Sequence, residues 1–277
     1  MKICFNEATT LKNSNLKKDL ELCEKFGYDL IEIRLDKLKE YLKSFRVDDL
    51  IKFFNNSKLK PYAFNALEFI TFRDKEGFEK IKDDLKFLCE VGNKIECRKI
   101  VVVPSFDVVP KTKKEIKNES IDRLNELADI AEVYGMQLAY EFVGYPNCSV
   151  NTFGQTYEII SALNRESVGM VLDCFHFHAM GSKIEDLKNA DSGKIFILHV
   201  DDSEDLPVGA LRDENRLWPG DGVIDFNSLF GTLKEIGYSK MASVELFRPE
   251  YWNLDAEETI RIGKEKTVNL LKKYFDI

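Results

Sequence analysis

Residues 121–142 read IDRLNELADIAEVYGMQLAYEF and join a helical pattern, a glycine and a strand-like run. Apolar residues recur at helical spacing up to Ala131, and Gly135 follows as a residue suited to ending a helix. The short apolar run at 137–142 then predicts a buried strand. The same unit recurs around Gly27, before residues 29–34, and around Gly237, before residues 241–247. The chain therefore repeats a helix–strand unit.

Further short apolar runs bring the number of candidate strands to eight, at residues 2–6, 29–34, 61–67, 99–103, 137–142, 168–172, 195–200 and 241–247. Helical patterns lie between them, including residues 78–89, 153–163 and 255–274. This alternation is typical of an α/β fold with a parallel sheet. Eight units predict a closed (β/α)₈ TIM barrel, with residues 1–277 as one domain, because such barrels take about 250 residues.

An open, doubly wound sheet is the alternative fold. Its usual nucleotide-binding motifs are missing, since no GxGxxG follows the first strand and no GxxxxGK[ST] occurs. Gly220-Asp221-Gly222 is only a fragment of such a motif.

Composition narrows the class of function. The formal net charge of −8 disfavours non-specific binding to nucleic acid, because phosphate backbones repel an acidic chain. No apolar run reaches the roughly 18–20 residues that span a bilayer, so we expect a soluble, cytoplasmic protein without membrane contact. The six cysteines form no CxxC pair, and we expect them to be buried free thiols.

Four ionisable side chains stand at or near the carboxyl ends of consecutive candidate strands: Glu141, Asp173, His199 and Glu245. These strand ends form the active site in a TIM barrel. Three converging carboxylates repel one another unless a cation lies between them, so the set predicts one divalent metal ion. Mixed oxygen and nitrogen ligands suit Zn²⁺, Mn²⁺, Co²⁺ or Mg²⁺, and the sequence does not choose among them. The alternative is that each is a polar residue where a strand meets its loop.

Two histidines follow Asp173 closely. His176 could bind substrate or a second metal ion above the sixth strand, or be a hydrogen-bonded structural residue. For His178 the structural interpretation is favoured.

The longest candidate loop, residues 201–225, is a further candidate for function, because long loops in compact domains tend to be functional. It carries Arg212 and Arg216, which could donate fixed hydrogen bonds to a polyhydroxylated substrate or pair with neighbouring acids. Trp218 and Trp252 lie on the same predicted face and either line a pocket or pack the loops down.

Several motifs together resemble the xylose-isomerase-like barrel superfamily of sugar isomerases and epimerases: VLDCFH at 171–176, LHVDD at 198–202, RLWPGDGVID at 216–225 and SVELFRPEYW at 243–252. GYDLIEIRLD at 27–36 and PYAFNALE at 61–68 look like the branch of inosose (2-keto-myo-inositol) isomerases of inositol catabolism. The resemblance covers essentially the whole chain.

The resemblance implies a (β/α)₈ fold and one divalent cation on the same four residues that the strand-end argument selects. It implies that Glu141 and Glu245 also transfer protons, and that His176 and Arg216 contact substrate oxygens. A cation that polarises carbonyl and hydroxyl oxygens stabilises an enediolate, across which two carboxylates can move a proton between adjacent carbons. The expected substrate is a small cyclic or linear polyol ketone. Self-association is expected by analogy only.

Other activities share this scaffold. A ketose 3-epimerase, a hydroxypyruvate-type isomerase or an inosose dehydratase would keep the same core ligands and differ in the loops. A DNA-repair nuclease resembling endonuclease IV is remote, because its three zinc ions need more histidines than the three in this chain. A non-catalytic sugar-binding relative is the last alternative.

Overall fold

A computed structural model describes residues 1–277 and contains a closed barrel of eight parallel strands, as predicted. The barrel strands are β1 (Lys2–Asn6), β2 (Leu30–Arg34), β3 (Lys60–Leu67), β4 (Lys99–Val102), β5 (Gln137–Glu141), β6 (Val168–Asp173), β7 (Ile195–Val200) and β10 (Met241–Val244). Each strand pairs with its sequence neighbour in the barrel, and β10 pairs with β1 to close it.

Helices surround the barrel and connect its strands. They are α1 (Leu16–Lys25), α2 (Leu35–Tyr41), α3 (Val47–Asn56), α4 (Lys75–Ile95), α5 (Lys113–Val133), α6 (Phe153–Leu163), α7 (Cys174–Ala179), α8 (Ile184–Lys188), α9 (Phe226–Glu235), α10 (Pro249–Trp252) and α11 (Ala256–Leu271). None of them is both long and apolar enough to cross a membrane.

Alternation along the strands separates two apolar cores. Outward residues such as Ile31 and Ile33 pack against the helices in the larger core, whereas Leu30 belongs to a smaller core that includes residues of every barrel strand. Glu32 lies between Ile31 and Ile33 and so takes the inward direction of Leu30. The inward-facing positions of the strands therefore carry both the polar and the apolar side chains of the barrel interior.

The connection after β2 differs from the pattern in the sequence. The strand runs directly into α2 at Leu35, with no glycine or turn residue between them, and α3 follows at Val47. Neither helix was predicted, because the boundary carries none of the usual stop and start signals.

The loop at residues 201–225 contains a two-stranded antiparallel pair, β8 (Asp202–Ser203) and β9 (Arg216–Leu217). The carboxylate of Asp202 accepts hydrogen bonds from the backbone N–H groups of Ser203, Gly220, Gly222 and Ile224, at 2.8–3.1 Å. A Cβ on Gly222 would lie 2.2 Å from the carbonyl oxygen of Ser203, so only glycine fits this close approach. One side chain thus holds both ends of the loop.

The cysteines are buried, and the tryptophans pack against neighbouring loops. All six cysteines are free and buried, as expected. Trp218 stacks on Tyr251 with ring centres 4.4 Å apart, and the indole N–H of Trp252 donates to the carbonyl of Ala8. Both tryptophans therefore pack the loops down, and neither lines the cavity described below.

Candidate active site

The four predicted ligands meet at the carboxyl end of the barrel. Glu141 and Asp173 are the last residues of β5 and β6, His199 lies in β7, and Glu245 follows β10 directly. Parallel pairing places His199 in register with both Asp173 and Ser243, which brings neighbouring strand ends level. One ligand atom from each of the four lies within 4.8 Å of all the others. We refer to these buried residues as the four-donor cluster.

His199 stands at the centre of this cluster. Its Nδ1 lies 3.1 Å from Glu141 Oε1, 3.1 Å from Glu245 Oε2 and 3.7 Å from Asp173 Oδ2. Its Nε2 points the other way, toward a carboxylate that the sequence analysis did not select, Glu32 on β2. Each ring nitrogen is therefore already surrounded by oxygen.

Negative charge outweighs positive charge here. Five buried carboxylates, those of Glu32, Glu141, Asp173, Asp201 and Glu245, lie around His199 and the single guanidinium of Arg216. Burial raises the pKa of Glu141 to about 8, against the lowering effect of His199. Burial lowers the pKa of His199, but the carboxylates of Glu245, Glu32 and Glu141 outweigh it and raise that pKa well above its usual value.

Arg216 supplies the only guanidinium inside this group. Its Nη1 donates to Asp173 Oδ2 at 2.8 Å and also to Asp201, while its Nε donates to Asp213 at 3.0 Å. Asp201 is fixed in turn by the backbone N–H of Phe175. The expected pairing of Arg216 with Asp213 is therefore present, and the guanidinium also borders the cavity.

The donor set fits a divalent cation. Three carboxylates and an imidazole offer the hard oxygen and borderline nitrogen ligands that Zn²⁺, Mn²⁺ or Co²⁺ accept, and their atoms converge on one point. Buried carboxylates in excess of their cations are costly, and a bound cation removes that cost.

A cavity of about 160 Å³ opens above the cluster. Glu141 and Glu245 line it, whereas Asp173 and His199 lie beneath and are completely buried. The aromatic rings of Phe69, Phe106, Tyr145 and Phe247 form part of its wall. The two glutamates are thus the members of the cluster that a bound molecule would touch.

Comparison with known proteins places this geometry in a family. The family model described as xylose isomerase-like TIM barrel matches residues 20–266. The chain belongs to this family.

Two relatives are similar over their full length. Inosose isomerase of Bacillus subtilis (strain 168) is 55% identical over 278 residues and covers 100% of both chains. A crystal structure of IOLI protein with a binding zinc atom superimposes with a TM-score of 0.98, at 55% identity and 100% coverage of both chains. D-psicose 3-epimerase from Clostridium cellulolyticum H10 shares the fold, with a TM-score of 0.78 at 16% identity over 100% of both chains.

His176 lies where the sequence analysis expected it, on the wall of the cavity. Its Nε2 is 3.0 Å from Arg216 Nη2, and burial lowers the pKa of the ring to about 4, so the imidazole is neutral. Its Nδ1 has no hydrogen-bond partner, and neither has the hydroxyl of Tyr145, whose ring packs edge-on against it. Two unpaired polar atoms therefore belong to residues of this wall.

His178 and Arg212 are not brought into the cavity. His178 is half-buried outside it, and Arg212 donates to the carbonyls of Gly209 and Leu211 while covering the ring of Tyr145. Arg212 makes no ion pair with its neighbours Asp213 and Glu214, so the expected acid pairing is absent, and the structural interpretation of His178 stays a prediction.

Sequence reasoning missed several residues of the site. Asn6 and Asn65 donate to Glu245 Oε1 at 2.8 and 3.2 Å, and Glu32 contacts His199. Glu32 had a usable signal, since it is the one charge in the apolar run Leu30-Ile-Glu-Ile and shares the inward face of Leu30. The asparagines had the same signal as the predicted ligands, because Asn6 ends β1 and Asn65 lies near the end of β3.

A larger groove of about 760 Å³ lies between the first turns of α5 and α6. It contains none of the four donors and is lined mainly by polar residues. The predicted ligands therefore border the smaller cavity and not this groove.

Proposed function

We propose that this chain is a divalent-metal-dependent isomerase of inositol catabolism that interconverts keto-inositols, from 2-keto-myo-inositol to 1-keto-D-chiro-inositol. The observation that carries the proposal is that Glu141 and Glu245 line one cavity together while Asp173 and His199 complete their donor set beneath it. The full-length similarity to inosose isomerase supports the choice of substrate.

The four-donor cluster would hold the metal ion, and the zinc in the IOLI structure supports zinc as the ion. When bound, the ion would polarise the ketone and the neighbouring hydroxyl and stabilise the negative charge of an enediolate. Asp173 and His199 lie too deep to touch the substrate, so their part is to complete the ligand set.

Glu141 and Glu245 would carry the proton between adjacent ring carbons. Glu245 is held by the amides of Asn6 and Asn65, which fixes one of its oxygens. One carboxylate can therefore remove a proton from one carbon of the substrate while the other delivers a proton to the neighbouring carbon.

The cavity wall would bind the substrate's hydroxyl groups. His176 Nε2 accepts from Arg216 Nη2, so Nδ1 of the neutral ring is an N–H donor without a partner, and Arg216 Nη2 retains one further N–H. The hydroxyl of Tyr145 is also unpaired, and the phenylalanine rings offer faces for the C–H groups of a cyclohexane ring.

A cytoplasmic location fits the cysteines. All six are buried free thiols, which suits a reducing compartment, where disulfides are rare.

The test is turnover of 2-keto-myo-inositol, with NMR identification of the product. Purified protein is assayed as prepared, after chelation, and after addition of Zn²⁺, Mn²⁺ or Co²⁺. We expect chelator-sensitive formation of 1-keto-D-chiro-inositol. Loss of water to a diketone would replace the proposal with a dehydratase, and no reaction by protein with bound metal would refute the keto-inositol substrate.

The matched control is a Glu245→Gln protein purified in the same way. It keeps the size of the side chain and one oxygen that can accept from Asn6 and Asn65, but it cannot accept the proton. Equal turnover by this variant would show that the activity comes from a contaminating enzyme or from other residues.

A further inference from the structure

Glu32 is a completely buried carboxylate that lies outside the predicted ligand set. It stands on an inward-facing position of β2, and its backbone pairs with Asn6 on β1 and Ala63 on β3. Its side chain reaches across the interior of the barrel to β7. A charge in this position is expensive, so its contacts need a physical reason.

The only hydrogen-bonding partner of Glu32 is His199. Oε1 and Oε2 of Glu32 lie 3.1 and 3.2 Å from His199 Nε2. Without a proton on that nitrogen, the carboxylate would be buried with no donor at all. With Glu32 as a carboxylate, the contact therefore requires Nε2 to carry a proton.

The second ring nitrogen faces the other way. His199 Nδ1 lies among the oxygens of Glu141, Glu245 and Asp173, at 3.1, 3.1 and 3.7 Å. A neutral imidazole has one N–H and one lone pair, so a proton held at Nε2 leaves the lone pair on Nδ1. The lone pair then points at the place where the other three donors converge.

We propose that Glu32 is a positioning residue that fixes the tautomer and ring orientation of His199, so that Nδ1 is its metal-binding atom. This rests on the proposed function, because it takes His199 as a metal ligand. A carboxylate behind a metal-bound histidine orients the ring and makes it a stronger donor. Glu32 acts through His199 and does not line the cavity.

The tautomer can be read directly from the folded protein. The chain has only three histidines, so a ¹⁵N–¹H correlation spectrum of histidine-labelled, zinc-loaded protein contains three ring systems, and His199→Ala identifies the relevant one. We expect a proton on Nε2 and a zinc-shifted Nδ1 for His199. A proton on Nδ1 with zinc-shifted Nε2 would overturn the proposal, and this measurement needs no change at Glu32.

Zinc affinity, measured by competition with a chromophoric chelator, tests the role of Glu32. Glu32→Ala should weaken zinc binding by about 10–100-fold. Glu32→Gln should recover part of this loss, because its amide oxygen can still accept the Nε2 proton. We expect the zinc affinities to fall in the order wild type, Glu32→Gln, Glu32→Ala. The far-ultraviolet circular dichroism spectra of the variants should match the wild type, so a general loss of structure would not explain this order.

Glu7→Gln is the matched control. Glu7 is also a completely buried glutamate, it follows the neighbouring strand β1, and none of its hydrogen bonds involves a member of the four-donor cluster. We expect wild-type zinc affinity for this variant. An equal loss in Glu7→Gln and Glu32→Gln would overturn the specific role of Glu32.

The same titrations separate this inference from the proposed function. If wild-type protein binds no zinc, or His199→Ala binds it as tightly, the proposed metal site fails and this inference falls with it. If zinc binding depends on His199 but Glu32→Ala binds as tightly as wild type, only the role of Glu32 fails.

Discussion

Two groups of buried acids lie at the carboxyl end of this barrel, and they differ in what neutralises them. In the first, the four-donor cluster, three carboxylates and a histidine converge below a cavity. In the second, which we call the lysine cluster (Glu7, Asp19 and Lys37), the ammonium of Lys37 lies 2.7 Å from Asp19 Oδ2 and 3.8 Å from Glu7 Oε1. None of the residues of the lysine cluster lines the cavity above the four donors.

The comparison shows that burial of acids alone does not indicate a metal site. In the lysine cluster the ammonium also donates to the carbonyl and hydroxyl of Thr10, so its three N–H groups are used within the protein. The lysine cluster has two carboxylates and one ammonium, whereas the four-donor cluster has three carboxylates with no lysine or arginine among its members and opens its glutamates to a cavity. The larger excess of carboxylates together with access distinguishes a site that binds a cation from one that only stabilises the fold.

The largest expected effect is on catalysis in the four-donor cluster. Glu245→Gln, assayed at saturating zinc, should lower the turnover of 2-keto-myo-inositol by about 10²–10⁴-fold, because the amide cannot transfer the proton. Zinc content measured on the same sample separates chemistry from metal loss. Glu7→Gln is the control and should retain wild-type turnover, whereas full turnover by Glu245→Gln with zinc bound would contradict the proton-transfer role.

The lysine cluster should affect stability instead. Lys37→Met should lower the free energy of unfolding by about 3–5 kcal/mol, because it leaves buried acids without their cation. Urea denaturation measures the loss, and turnover per folded molecule should not change. Adding Asp19→Asn to Lys37→Met should restore part of the stability, and no restoration would show that the loss comes from packing rather than charge.

Removal of zinc should lower thermal stability through the four-donor cluster and not through the lysine cluster. Free zinc at 100 times its Kd should stabilise the protein by about 2.7 kcal/mol, or about 5–10 °C in Tm. Differential scanning calorimetry should show this shift in wild type and in Glu7→Gln, and no shift in His199→Ala. A shift that survives in His199→Ala would place the stabilising ion elsewhere.

The smallest effect concerns pH. Burial raises the pKa of Glu7 well above 4.5, although Lys37 lowers it in part, so the folded chain holds this proton more tightly than the unfolded chain. The contribution of Glu7 to the free energy of unfolding is therefore fully present below pH 4.5, and it is lost as the pH rises through the pKa of Glu7 in the folded protein. Glu7→Gln does not titrate at this position, so its free energy of unfolding relative to that of wild type should rise over this range. Parallel denaturation curves for both proteins would contradict the raised pKa.

Much of the fold was predictable because each strand carries its own local signal. The strands at Lys2–Asn6 and Ile195–Val200 and the helix at Phe153–Leu163 have the predicted bounds. The run at 241–247 was predicted too long, since β10 ends at Val244 and Glu245 already belongs to the loop. Apolar patterning continues past the last ladder hydrogen bond, so sequence alone does not mark where pairing stops.

The site was predictable where a charge ends an apolar run and hidden where partners come from distant strands. Glu141 and Asp173 follow directly from strand ends. The contact between Glu32 and His199 joins residues 167 positions apart across the barrel interior, which no local pattern reveals. In the sequence, Asp201 marks only the start of a loop. Its contact with Arg216 depends on how that loop folds back.

The carboxylate of Asp202 joins the two ends of the loop above the cavity. It gathers the backbone of both ends of the segment from Ser203 to Gly220, and this segment carries Asp213 and Arg216 to the cavity. Exchange of this segment would therefore change the shape and charge of the cavity mouth, and it would also remove the guanidinium that pairs with Asp173 and Asp201 in the barrel below.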